Sequence, residues 1–272
     1  MNNSDKMIFT IVHLYSKEMN IYGDMGNILA LKVRMQERGF EVCIINVGLG
    51  KLLPMKLPKG DLYFMGGGQD DDMYKVFDDL VKYKKEFLEQ EVEANKVFLI
   101  ICGAFQLFGE YFLDSDGRQM RGLGILPINT KAPSDQIKDR CVGNIVSEFR
   151  PEIIKEMEDF DIAMKSKYLV GFENHSGQTY FEVENVSEKI QPIGNVIFGN
   201  GNNSVQKIEG ARYKNVFGSY LHGSVLPKNP HFTDLLLALA LSGKENTKLQ
   251  LGKLDDGIEW QAHNAIIDRF IK

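Results

Sequence analysis

Continuously apolar runs alternate with helix-spaced stretches through the first half of the chain. Met7-Ile8-Phe9-Thr10-Ile11-Val12 reads as a buried strand, and Asn27 to Arg38 reads as a helix after a loop that ends at Gly26. Phe40 to Asn46 predicts a second strand. Asp61-Leu62-Tyr63-Phe64-Met65 predicts a third, closed by Gly66-Gly67-Gly68. From Asp72 to Val92, Val76, Phe77, Leu80, Val81, Phe87 and Leu88 recur at helical spacing with Lys and Glu between them, which predicts one helix. Val97 to Ile101 is apolar at every position, as a strand covered on both faces must be. Such strand–helix alternation implies a parallel sheet with right-handed crossovers. The expectation is an open, mostly parallel α/β sheet flanked by helices.

The second half is patterned differently. Gly122 to Leu126, Cys141 to Val146 and Thr179 to Val183 are short, glycine-punctuated and strand-like, which predicts an antiparallel extension of the sheet. Gly199 to Ser204 reads as a turn or exposed loop. Val216 to Leu221 is one more strand, Phe232 to Ser242 an apolar-faced helix, and residues 258–271 a terminal helix. With no internal repeat and no low-complexity linker, residues 1–272 are expected to form one domain.

Composition narrows the class. The chain has 272 residues, 43% of them hydrophobic and 25% charged, so a sizeable core is available and global disorder is excluded. Its net charge of −5 argues against nucleic acid as a general partner. No apolar stretch approaches the ~18 residues of a membrane span, and the start carries no signal-peptide pattern. Three cysteines, Cys43, Cys102 and Cys141, cannot form a disulfide framework, which fits a cytoplasmic protein.

Ligands of open α/β sheets bind beyond the carboxyl ends of the strands, so the residues there are the ones to weigh. Cys102 follows the fourth strand and opens a helix through Gly103-Ala104. A helix N-terminus favours thiolate, and the Gly103 N–H is free to stabilise an oxyanion, although most cysteines at such positions are small buried hydrophobes. Gly66-Gly67-Gly68 offers a second oxyanion donor or simply a turn into a helix capped by Asp70, Asp71 or Asp72. Of five histidines, His222 follows a strand and precedes Gly223, which makes it the leading base. His13 and His175 stay open by position. His231 reads as a surface or capping residue, and His263 as satisfied or solvated. Gly48-Leu49-Gly50-Lys51 has the wrong spacing for a phosphate loop and lacks its Ser/Thr. Nothing has metal-ligand spacing.

At Ile101-Cys102-Gly103-Ala104-Phe105-Gln106 the chain resembles class I, triad-type glutamine amidotransferases of flavodoxin-like fold, whose pattern is Gly-x-Cys-x-Gly-x-Gln. Ile100 and Ala104 stand where glycines are common. Ser219-Tyr220-Leu221-His222-Gly223 resembles the histidine segment of the cobyric-acid-synthase-like branch, with Ser224 in place of the usual glutamate. Tyr22 to Asn27, Met65 to Asp70, Gly171 to His175 and Leu226 to Asn229 narrow the resemblance to the amidotransferase subunits of lipid II isoglutaminyl synthases. The resemblance implies a cysteine nucleophile at Cys102, His222 as general base and acid, oxyanion donors at Gly67 and Gly103, and substrate contacts from Gln106 and Arg140. It also implies a heterodimer with a Mur-ligase-like, MurT-type subunit at the inner membrane face. ATP and Mg²⁺ then belong to the partner, and this chain carries no cofactor and no metal. The third member of the triad is left to Glu173 or to a partner residue. Outside this family the alternatives are a stand-alone hydrolase with an elbow cysteine and a non-catalytic interaction subunit.

Overall fold

In the computed structural model, residues 7–50, 58–113, 117–133, 140–181, 190–245, 247 and 249–271 are described. Strand β1 (Ile8–Leu14) leads into helix α1 (Met25–Glu37) and strand β2 (Glu41–Val47). Strand β3 (Leu62–Met65), helices α2 (Asp70–Tyr83) and α3 (Lys85–Glu93), strand β4 (Val97–Ile101) and helix α4 (Gly103–Phe108) follow. Next come β5 (Tyr111–Leu113), β6 (Gln119–Arg121), β7 (Ile128–Lys131), β8 (Cys141–Phe149), helix α5 (Pro151–Asp159), β9 (Tyr168–His175) and β10 (Gln178–Phe181). Strands β11 (Ile190–Gln191), β12 (Gly194–Phe198), β13 (Ile208–Glu209), β14 (Ala211–Tyr213), β15 (Val216–Ser219) and β16 (Leu221–His222) precede helices α6 (Pro230–Glu245) and α7 (Gly257–Phe270).

The main sheet has seven strands in the order β11-β14-β15-β4-β3-β1-β2. Its five strands from β15 to β2 are parallel, and β14 and β11 extend it antiparallel. Strands β3 and β4 are buried at every position, which matches their unbroken apolar sequence. Much of the second half builds two further sheets instead of extending this one: β10-β7-β5-β6 and β13-β12-β8-β9-β16. Residues 122–126 form turns, not a strand. There the Gly122 N–H donates to the Glu110 carbonyl at 2.7 Å, and a side chain on Gly122 would strike the Gly109 carbonyl. Of the strand expected from Thr179 to Val183, residues 182 and 183 lie outside the described residues, as do residues 134–139 of the loop before Arg140.

The single helix expected over 72–92 is two helices, broken at Lys84. Lys84 turns inward with its side chain fully buried, pairs with Asp79, and stands 5.0 Å from the Tyr15 ring. Tyr15 donates to the same carboxylate at 2.7 Å. A charged side chain held inside this way costs too much desolvation to stay unpaired, so the backbone yields at Lys84 and the ion pair forms.

Helix α7 carries His263 and covers His231, and both histidines are buried. His231 is not at the surface: its Nε2 donates to the Tyr168 carbonyl at 2.9 Å, and Trp260 lies across its ring. Burial pushes its pKa down to about 3. A histidine whose folded pKa is depressed contributes stability that is present above ~6.5 and is lost as pH falls through the folded value. The melting temperature of the wild-type chain should therefore drop as pH falls from about 6.5 to 4. In His231→Gln, which keeps a donor for Tyr168 but cannot titrate, the drop should be smaller. Equal slopes in a thermal-melt series would show that His231 takes no part in acid lability.

Candidate active site

Strands β4 and β15 run side by side to the same edge of the main sheet, Ile101 opposite Ser219, and the chemistry gathers just beyond them. Cys102 is the turn between β4 and α4, with φ 53° and ψ −107°, a left-handed conformation unusual for any residue with a side chain. Its N–H donates to the Ser219 carbonyl at 2.8 Å, which ties the turn to the strand that leads to His222. The sulfur-bearing residue is only 8% exposed yet lines a pocket of about 510 Å³. A larger groove of about 680 Å³, walled by α2 and β6, shares no lining residue with this pocket.

His222 ends β16 and is fully buried. Its Nδ1 lies 3.3 Å from Asp24 Oδ1, and the edge of the Tyr22 ring packs against it at 5.0 Å. Burial works to lower the His222 pKa, but the hydrogen bond to Asp24 and then the contact with Cys102 outweigh it and push the value up to about 10. Gly67 shows how close base and nucleophile are. A Cβ placed there would sit 3.0 Å from His222 Cε1 and 3.3 Å from Cys102 Cβ. No side chain fits between them.

Asp24 was not among the residues singled out by sequence. It sits at the N-terminus of α1 but caps no helix amide with its side chain. One carboxylate oxygen meets His222, and the other accepts the Gly67 N–H at 2.8 Å. That second bond changes the reading of the glycine strand end. The Gly67 amide is committed to Asp24 and is not free for an oxyanion. The neighbouring Gly68 nitrogen instead approaches Gly103, 3.2 Å from where a Cβ would stand. Gly103 is the first residue of α4, so its N–H has no acceptor within the helix.

Glu173 does not reach His222. In the β9–β16 register it stands opposite Leu221, while His222 stands opposite Phe172, so the carboxylate points from the other face. There its Oε1 accepts from the Asn200 N–H and Nδ2, and its Oε2 accepts from the Gly201 N–H at 2.9 Å. Burial raises its pKa against these bonds. Its work is to hold the loop 199–201 against β9.

Arg140 and Gln106 both line the pocket with Cys102. The Arg140 Nε donates to Asn174 Oδ1 at 2.7 Å, and Nη2 lies 3.4 Å from the Tyr22 hydroxyl, so the guanidinium is steered over the mouth. Gln106 donates from Nε2 to the Tyr220 hydroxyl at 3.0 Å, which leaves its carbonyl oxygen for a ligand. His175 is stacked on Tyr220 at 3.7 Å and donates from Nδ1 to the Gly177 carbonyl, and burial lowers its pKa to about 4. It is a neutral wall of the pocket. Among the described residues no group of three or more His, Cys, Asp or Glu could hold a metal, and no helix is long and apolar enough to cross a membrane.

The arrangement therefore offers a thiol, a base with a carboxylate behind it, two adjacent amides and a fixed guanidinium in one pocket. The family model of CobB/CobQ-like glutamine amidotransferase domains matches residues 10–230. The chain is 37% identical over 246 residues to the lipid II isoglutaminyl synthase subunit GatD of Streptococcus pneumoniae, covering 90% of this chain and 85% of that one. It is 35% identical over 260 residues to GatD of Staphylococcus aureus, covering 96% and 95%. Among solved structures it superposes on the glutaminase domain of Trypanosoma brucei CTPS with a TM-score of 0.52 at 12% identity, over 90% of this chain and 98% of that one. A second glutamine amidotransferase gives a TM-score of 0.51 at 13% identity, over 84% and 98%. At these identities the structural matches speak for the fold.

Proposed function

This chain belongs to the family of CobB/CobQ-like glutamine amidotransferase domains, and from that membership we propose that it is the glutamine-hydrolysing subunit of a lipid II isoglutaminyl synthase. The observation that carries the mechanism is the contact of Cys102 and His222 around Gly67, with Asp24 behind the histidine. The Cys102 thiolate attacks the side-chain amide carbon of glutamine. The oxygen of the tetrahedral intermediate is held by the Gly68 and Gly103 N–H groups, each such donor being worth ~3–4 kcal/mol of barrier. The C–N bond breaks as His222 gives its proton to the departing nitrogen, and ammonia leaves. His222 then takes a proton from water, the hydroxide cleaves the thioester, and glutamate departs with Cys102 restored.

Ammonia is delivered to a Mur-ligase-like partner, which activates the D-glutamate α-carboxylate of the lipid II stem peptide with ATP and Mg²⁺. In this reading Asp24 supplies a carboxylate to His222 from within this chain. The test is amidation of lipid II by the two purified chains with glutamine and ATP. Amide formation that needs both chains, and that free ammonium restores in the Cys102→Ala complex, supports the reading. Ligase action on lipid II that proceeds without this chain, from glutamine, sinks it.

Arg140 lines the pocket mouth, and in this reading its guanidinium binds the α-carboxylate of glutamine with a planar fork that a lysine cannot reproduce. Arg140→Lys keeps the charge at an exposed position, so folding should be untouched. KM for glutamine should rise by roughly tenfold or more, with kcat changed much less. Wild-type kinetics in the variant would remove Arg140 from the substrate site.

A further inference from the structure

Behind Gln106 lies a row of three buried hydroxyls that the mechanism above does not use. Gln106 sits on α4, one helical turn after Cys102, and is 7% exposed. Its Nε2 donates to the Tyr220 hydroxyl at 3.0 Å. That hydroxyl is 2.6 Å from Thr179 Oγ1, which in turn is 2.7 Å from Thr130 Oγ1. Thr179 and Thr130 are a cross-strand pair of β10 and β7, so the row ties α4 to the second sheet. Tyr220, Thr179 and Thr130 are all buried. The Tyr220 ring is fixed in place. His175 stacks on it at 3.7 Å, Phe105 packs edge-on at 5.3 Å, and its backbone N–H donates to Glu209 Oε1 at 3.1 Å. Burial pushes the Tyr220 pKa up, so the hydroxyl keeps its proton.

The two ends of a carboxamide have the same shape and opposite hydrogen-bonding character, so partners alone decide which end faces the pocket. A hydroxyl has one proton to give. When Tyr220 gives its proton to Thr179, and Thr179 to Thr130, the phenol oxygen can only accept from Gln106, and the amide carbonyl turns to the pocket. With the row reversed, Tyr220 would donate to Gln106 and the NH₂ would turn to the pocket instead. Gly177 closes over the nitrogen end, where a Cβ would stand 2.5 Å from Gln106 Nε2 and 2.8 Å from Thr130 Cγ2. In the reading above, the carboxylate of glutamine goes to Arg140 and its amide oxygen to the Gly68 and Gly103 N–H groups. What remains on the substrate are N–H donors, and only a carbonyl oxygen at Gln106 can accept from them.

We propose that Tyr220, Thr179 and Thr130 are positioning residues, whose hydroxyls donate in that order away from the pocket and so hold the Gln106 carbonyl toward the substrate. This inference rests on the glutamine-hydrolysing reading above. The three hydroxyls act through Gln106 and need not touch glutamine themselves. Thr179→Val takes away the acceptor of the Tyr220 proton. The phenol then turns that proton onto Gln106, the amide turns over, and a donor faces the donors of the substrate.

The experiment measures glutamine hydrolysis by Thr179→Val, Thr179→Ser and Tyr220→Phe, each with the Mur-ligase-like subunit present, alongside thermal melts of the same variants. Thr179→Val and Tyr220→Phe should raise KM for glutamine by about tenfold or more. Their kcat should stay within a few-fold of wild type, because Cys102, His222 and the oxyanion donors are unchanged. Thr179→Ser keeps the hydroxyl and loses a methyl, so KM should return to near wild type while the melting temperature falls. A merely structural role would give lower melting temperatures in all three with KM unmoved. Wild-type KM in folded Thr179→Val and Tyr220→Phe overturns the proposal, and so does an equal rise of KM in Thr179→Ser. Should Thr179→Val or Tyr220→Phe fail to fold, Thr130→Val removes the outermost hydroxyl and must also raise KM; a wild-type KM there overturns the proposal. A wild-type pair of chains that releases no glutamate from glutamine overturns the glutamine-hydrolysing reading, and this inference with it.

Discussion

Cys102→Ala should abolish glutamine hydrolysis, with a loss on the order of 10⁴- to 10⁶-fold in kcat, because every bond-making step passes through that sulfur. The companion measurement is labelling by a glutamine-analogue electrophile followed by peptide mass mapping. A generic alkylating agent would mislead, since Cys43 is exposed on β2 and would react first, while Cys102 and Cys141 are buried. Selectivity must come from the pocket, which Arg140 and Gln106 line together with Cys102 and which neither Cys43 nor Cys141 enters. Modification of Cys43 or Cys141 by the analogue, with Cys102 untouched and activity lost, would end the assignment. The Ala variant should still melt as a folded protein, so loss of activity can be separated from loss of structure.

The second large effect is expected at Asp24. Asp24→Asn keeps the shape but replaces one acceptor oxygen with an NH₂ donor. That NH₂ must face either the Gly67 N–H or His222 Nδ1, where today two donors are accepted. Facing His222, it moves the ring proton to Nε2, the atom that has to receive the thiol proton. Loss of an orienting carboxylate in this way costs about four orders of magnitude in rate. Glu173→Gln is the contrasting variant. Its carboxylate holds the loop 199–201, so stability should fall while kcat per folded molecule stays within a few-fold. A Glu173→Gln chain with full folding and no activity, beside an active Asp24→Asn chain, would reverse the assignment. Measuring glutamate release and thermal melting on both variants decides between them.

The difference between these two carboxylates also shows where sequence stops informing. Glu173 sits in a recognisable segment with Asn174 and His175, but its face is set by pairing register with β16, which no local pattern reveals. Asp24 meets His222 across 198 positions of chain. A signal for it did exist, since Tyr22-Gly23-Asp24 follows β1 at the same carboxyl edge that made Cys102 and His222 stand out. The strands of the main sheet were legible because burial on both faces demands unbroken apolar runs, as in Val97 to Ile101. The break at Lys84 was not, because helical spacing continues across it and the cause is an ion pair with Asp79 beneath Tyr15. His231 read as a surface residue for a similar reason: Trp260, which lies across its ring, arrives on α7 from the far end of the chain. Cys102 itself was legible twice over, by its place after a buried strand and by its motif.

The backbone at Cys102 bears on how such a protein could drift. A left-handed conformation costs a side-chain-bearing residue about 1–3 kcal/mol, and glycine is spared most of it. Cysteine and glycine codons differ by a single base. A lineage released from the need to hydrolyse glutamine would thus find a more stable chain one nucleotide away, with the nucleophile erased. Laboratory selection for heat resistance alone should enrich Cys102→Gly, so a thermostability screen on this scaffold has to be paired with a screen for ammonia release.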